Sequence, residues 1–160
     1  AGVVDIFDTD IEFDGAGNAV QINGRNDDSD APVTLRRVTV TGDASGDHGR
    51  NAIRVMRQGC LLDDVVVEQP GTHYRRALKL YGDDTTIDGG TYRSTHHPIV
   101  NVADGTALDG VTARSYDGYQ ALKLYDGYAD VSVTDSELYE GIVDRGVQNL
   151  DLSGNSYPDV

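Results

Sequence analysis

Twice in 160 residues a lysine stands two places before a tyrosine at the end of the same five-residue phrase. The phrases are Ala77-Leu78-Lys79-Leu80-Tyr81 and Ala121-Leu122-Lys123-Leu124-Tyr125, 44 residues apart. These are the only two lysines in a chain of 27 acidic and 13 basic residues, whose formal charge is -14. Cations beside tyrosine faces suit the carboxylates or sulfates of an acidic polysaccharide, with the rings stacking on sugars. Arg54, in the related phrase Ala52-Ile53-Arg54-Val55, joins Lys79, Lys123, Tyr81 and Tyr125 as a candidate ligand-binding residue. The plainer reading of the same cations is a solvated column that neutralises neighbouring aspartates.

A second set of candidates is acidic. Asp63, Asp88 and Asp109 each follow an apolar anchor in a recurring phrase, so stacking of the phrases would place three carboxylates one above another. Such a column either raises a carboxyl pKa or holds a cation, and Ca2+ fits the oxygen ligands and the irregular spacing. The competing role, and the commoner one for aspartate, is to cap turns by accepting backbone N–H groups. Asp10-Ile11-Glu12-Phe13-Asp14-Gly15 opens like a calcium loop, but Gln21 stands where the bidentate glutamate belongs, and Ile11 and Phe13 alternate as in a strand. His73, His96 and His97 lack the spaced partners of a zinc site and read as loop surface.

What must position these residues is a repeat. The phrases Leu62-Asp63-Asp64-Val65, Ile87-Asp88-Gly89-Gly90, Leu108-Asp109-Gly110-Val111, Val133-Thr134-Asp135-Ser136 and Leu152-Ser153-Gly154-Asn155 are versions of one signature, and Leu35-Arg36-Arg37-Val38 is an earlier one. Their anchors recur at a period near 23 residues, and each is preceded by a strand phrase such as Ile53-Arg54-Val55 or Ile99-Val100-Asn101. Two short alternating strands per period, separated by Gly, Asp and Asn turns, make one coil of a solenoid. Residues 26–32 and 43–50 read as insertions between strands. The third residue of each strand phrase, Arg54, Lys79, Asn101, Lys123 and Asp144, is expected to form one outward column.

Over about residues 18 to 160 this pattern resembles the pectate-lyase-like, right-handed β-helix superfamily. The resemblance implies an all-β, right-handed parallel β-helix of about six coils, with residues 1–17 as an N-terminal strand or cap and 18–160 as the solenoid. That superfamily includes lyases, hydrolases, epimerases, viral tailspikes and adhesins, so the architecture carries no single activity. Gly82-Asp83-Asp84 resembles one polygalacturonase phrase and Asp47-His48-Gly49 faintly another, but the companion motifs are missing.

Composition narrows the setting. The acids are 23 Asp and 4 Glu, the bases 11 Arg and 2 Lys, a balance that resembles haloarchaeal proteins. Self-repulsion of that size is relieved in molar salt, where the Debye length is about 3 Å. Nucleic acid is a poor partner for so acidic a chain, and no run of residues is apolar and long enough to span a membrane. The sequence therefore predicts a non-enzymatic structural or attachment module, such as a viral spike, capsid decoration or surface adhesin. It would work at a virion or extracellular surface in high salt, as a homotrimer or with other structural proteins, and would bind a surface glycan. The alternative is a calcium-dependent polysaccharide lyase or glycoside hydrolase acting on acidic polysaccharide.

Overall fold

Short alternating phrases can bury their apolar residues only by stacking on their own copies, and that is how the chain folds. The computed structural model describes residues 4–24, 31–44 and 50–159. β1 (Val4–Glu12) comes first, then β2 (Val20–Ile22) and β3 (Val33–Thr41). A three-strand unit then repeats: β4 (Asn51–Val55), β5 (Leu61–Asp63) and β6 (Val66–Gln69); β7 (Arg76–Leu80), β8 (Thr86–Asp88) and β9 (Thr91–Ser94). Two further units follow, β10 (Ile99–Asn101), β11 (Ala107–Asp109) and β12 (Thr112–Ser115); β13 (Leu122–Leu124), β14 (Ser132–Thr134) and β15 (Glu137–Leu138). β16 (Ile142–Asp144) and β17 (Asp151–Ser153) complete the described chain.

All pairings between these strands are parallel, and the described residues contain no helix. The result is an all-β parallel solenoid of about five turns. Six anchor phrases bound five intervals, which is why about six coils were expected and about five turns are wound. One face is a six-stranded sheet in the order β16-β13-β10-β7-β4-β2. The rest is an 11-stranded sheet in which β3 is long enough to feed two ladders, β5-β8-β11-β14-β17 and β6-β9-β12-β15. β1 lies along the other edge of β3.

The anchors pair in register from coil to coil: Leu35 with Leu62, Leu62 with Ile87, Ile87 with Leu108, Leu108 with Val133 and Val133 with Leu152. All but Leu152 of the final coil are fully buried. A second inward column is Val40, Val67, Tyr92, Ala113 and Leu138, and a third is Ile53, Leu78, Ile99 and Leu122. Each buried Leu or Ile stabilises the fold by about 1.5–3 kcal/mol relative to exposure.

Two residues past each anchor the chain bends at a residue with positive φ. These are Arg37, Asp64, Gly89, Gly110, Asp135 and Gly154, the types that tolerate the left-handed region being prominent among them. Other turns depend on close stacking. A Cβ on Gly82 would lie 2.0 Å from the Arg57 carbonyl oxygen of the coil below, so only glycine lets these two backbones approach.

The expected insertions at 26–32 and 43–50, and the phrase Asp47-His48-Gly49, fall largely or wholly outside the described residues. Asp10, Ile11 and Glu12 are strand residues of β1, in keeping with rejection of a calcium loop there. Among the described residues, no helix is long and apolar enough to cross a membrane.

Candidate functional site: a basic and aromatic face

The six-stranded sheet turns the outward residues of its strands into a column. Ladder register makes that column Gln21, Arg54, Lys79, Val100, Lys123 and Val143. Arg54, Lys79 and Lys123 therefore share a column as expected, whereas Asn101 and Asp144 do not. Asn101 pairs with Leu80 and Leu124, points inward and is buried. Its amide donates to the Ala103 carbonyl at 3.0 Å and its Oδ1 accepts from the Thr106 hydroxyl at 3.0 Å, which satisfies it inside the core. Asp144 pairs with Leu124, and its carboxylate accepts the N–H groups of Gly146 and Val147. The phrases in these coils begin at Pro98 and Gly141, the counterparts of Ala77 and Ala121, not at Ile99 and Ile142. A one-residue shift of reading reverses every side chain.

Tyr81 and Tyr125 follow β7 and β13 and stand at the exit edge of this sheet. The Lys79 ammonium lies 4.5 Å from the Tyr81 ring centre and the Arg54 guanidinium 4.9 Å from it. Lys123 and Arg145 flank Tyr125 at 5.1 and 5.2 Å. Each ring thus holds two cations, an attraction of about 0.5–1 kcal/mol apiece at an exposed site. Burial acts to raise the Tyr125 pKa, but the Lys123 hydrogen bond and the charges of Lys123, Arg145 and Arg76 outweigh it and bring the phenol below its usual value.

A second aromatic row stands at the entry edge. Tyr74, His96 and Tyr119 come from three successive coils and stack with ring centres 3.9 and 4.0 Å apart. The Arg76 guanidinium lies 4.8 Å from the Tyr74 ring centre and donates to its hydroxyl. His97 lies edge-on to His96 at 4.5 Å. His96 and His97 are therefore not loop surface: His97 is buried and His96 is half-buried, whereas His73 is exposed. The Gln120 carbonyl accepts from His97 Nδ1 at 3.0 Å, which places a proton on that nitrogen. His96 Nδ1 is buried without a hydrogen-bond partner. Burial, followed by the charges of His97, Arg76 and Lys123, lowers the His96 pKa to about 4. His97 is lowered as well, by burial first and then by Lys123, Arg76 and Arg145, against its bond to Gln120.

The two aromatic rows border the same six-stranded sheet, one at each end of its strands. Burial raises the Tyr74 pKa, Arg76 opposes that, and Tyr125 and Tyr119 both contribute to it, so side chains from the entry and exit edges lie within electrostatic reach of one another. Between the rows lie the cations, and beneath them the outward positions Ala52, Ala77, Val100 and Ala121 are almost wholly buried. Small side chains at these sites let the long ones lie flat across the sheet. The row Tyr74, His96 and Tyr119 was missed in the sequence although its spacings, 22 and 23 residues, match the solenoid period.

The acidic column is in register too: Arg36, Asp63, Asp88, Asp109, Thr134 and Ser153 stack in that order. It lies on the 11-stranded sheet, away from the strands that carry Lys79 and Lys123. Arg36 Nε binds Asp63 Oδ2 at 2.6 Å, and the Thr134 hydroxyl donates to Asp109 Oδ1 at 2.6 Å. Among the described residues, no three of His, Cys, Asp and Glu converge so as to hold a metal ion. Carboxylates that do hold backbone amides are elsewhere, at Asp14, Asp83, Asp104 and Asp144. Ion pairs link Arg36 to Asp63, Arg37 to Asp8 and Arg93 to Glu68, and among the described residues none engages Arg54, Arg76, Lys79, Lys123 or Arg145. In a molecule of charge -14, five cations without ion-pair partners among the described residues are gathered on one face.

No family model, no curated protein and no solved structure matches this chain, so its assignment as an all-β parallel solenoid rests on its own repeat and ladder register.

Proposed function

We propose that the protein is a non-catalytic attachment module that binds an acidic polysaccharide on its six-stranded face. The reading extends to a right-handed solenoid of the pectate-lyase-like kind, the hand that parallel crossover connections take. It also extends to display on a virion or cell surface in high salt, which the aspartate-rich, lysine-poor composition supports. One observation carries the binding proposal: Arg54, Arg76, Lys79, Lys123 and Arg145 gather with tyrosine rings on a single face, and among the described residues none of them is in an ion pair. Cations held against rings offer their remaining donors to a ligand carboxylate at little further cost in side-chain order. Support for a non-catalytic role comes from the placement of Asp63, Asp88 and Asp109 on a different sheet from Lys79, and from Arg36, the one base in their column, being held in an ion pair with Asp63.

The test is retention of alginate or polygalacturonate on immobilised protein, with dextran as the uncharged control. Wild type is expected to retain both uronate polymers, and the Lys79→Ala/Lys123→Ala variant to lose about ten-fold or more in affinity, about 1.4 kcal/mol. Equal retention of dextran, or an unaffected double variant, would sink the reading. Accumulation of unsaturated uronate products would replace it with the lyase alternative.

A further inference from the structure

A protein carrying 27 acids and 13 bases should repel an acidic polymer at long range, whatever one face offers at contact. At about 0.1 M salt the Debye length is about 10 Å, so a polymer approaching the six-stranded face feels aspartates well beyond it. At about 1 M the length falls to about 3 Å, and only groups touching the polymer still count. On this face those groups are Lys79, Lys123, Arg54 and Arg76, together with the rings of Tyr74, Tyr119, Tyr81 and Tyr125. Salt also weakens the contact ion pairs, but ring contacts are apolar and offer no net charge for salt to screen. The balance therefore shifts from net repulsion toward net attraction.

The geometry further selects the polymer. The entry-edge row spans three coils without a break, which at about 4.8 Å per coil makes an aromatic wall roughly 10 Å long. Tyr74 and Tyr119 are each 40% exposed and join through His96 into one contiguous aromatic patch, the kind of surface that marks a binding site. A polyanion without rings could use the cations and would leave that wall idle.

We infer that the sheet face between Tyr74–His96–Tyr119 and Tyr81/Tyr125 takes a carboxylate-bearing polymer of sugar rings, lying along the solenoid axis, and binds it more tightly as ionic strength rises. This rests on the glycan-binding reading of the same face and adds the ring requirement and the sign of the salt dependence. Ordinary polyanion sites show the opposite sign, because released counterions favour binding in dilute salt.

The experiment uses the full chain and fluorescent alginate oligomers, with polyglutamate of matched charge as the ring-free probe. Titrations run from the lowest salt at which the far-ultraviolet circular dichroism is constant up to about 3 M NaCl. The expected result is alginate affinity rising several-fold across the series, with polyglutamate unbound at its upper end. Tyr74→Leu/Tyr119→Leu is expected to lose about ten-fold in alginate affinity at the highest salt. The conservative Tyr74→Phe/Tyr119→Phe is expected to retain binding, which separates loss of rings from damage to the coil. Alginate affinity that falls with salt, or polyglutamate bound as tightly as alginate, overturns this inference while leaving a polyanion-binding face in place. Absence of alginate binding at every salt concentration overturns both.

Discussion

Protonating His96 is costly because its ring is wedged between Tyr74 and Tyr119, its Nδ1 is buried without a partner, and Arg76, Lys123 and His97 lie near it. In the unfolded chain the same imidazole titrates near its ordinary value of 6.5, while in the fold it does so at about 4. Between those values the unfolded state binds the extra proton, so stability present above pH about 6.5 is lost as pH falls toward about 4. Thermal melts across that window are expected to fall more steeply in wild type than in His96→Phe, which keeps the stack and removes the titration. Parallel curves for the two proteins would show that the ring does not resist protonation. Every other ionisable side chain is common to both proteins, so the difference isolates His96.

Strands of three to five residues have too little side-chain surface to fix their own register; contact with the coils above and below fixes it. Asn101 shows the consequence, since its place in the Leu80–Leu124 column follows from ladder pairing and not from the phrase around it. The close approach of Gly82 to the Arg57 carbonyl is another property of stacking. Gly82→Ala is expected to destabilise the protein by about 1–3 kcal/mol or more, because backbone must move to admit a Cβ. Chemical denaturation measures it, and an unchanged midpoint would show that the coils separate freely at this turn. β1 meets a different demand. Its outer edge has no strand partner among the described residues, and Asp5, Asp8, Asp10 and Glu12 load it with charge. Charge on a free edge discourages strand addition by other chains.

Across the whole molecule, one sign of charge dominates while the core is thin. The solenoid buries columns of Leu, Ile and Val only one or two side chains wide in each short strand, and its aspartates crowd around them. Self-repulsion then acts against the same marginal stability that every domain has. The melting temperature is expected to climb steadily as NaCl is raised from about 0.1 to about 2 M, the range over which screening approaches contact distance. A flat profile would mean that the aspartates are spaced widely enough to ignore one another, and would remove the argument for a high-salt setting. The same screening governs the glycan face, so stability and binding are expected to rise together.

Much of this architecture was legible in the chain alone. The period near 23 residues, the anchors from Leu35 to Leu152 and the column from Arg36 to Ser153 follow from repetition, because near-copies in a parallel stack must align with themselves. The sharing of one outward column by Arg54, Lys79 and Lys123 was legible for the same reason. Tertiary structure decided what repetition leaves free. It placed Asn101 inside and Val100 outside, because a single-residue offset in a short phrase costs nothing until neighbouring coils close on it. It also gathered Tyr74, His96 and Tyr119 into one stack, since residues in turns follow no alternation and only the path of the chain between strands brings their rings together.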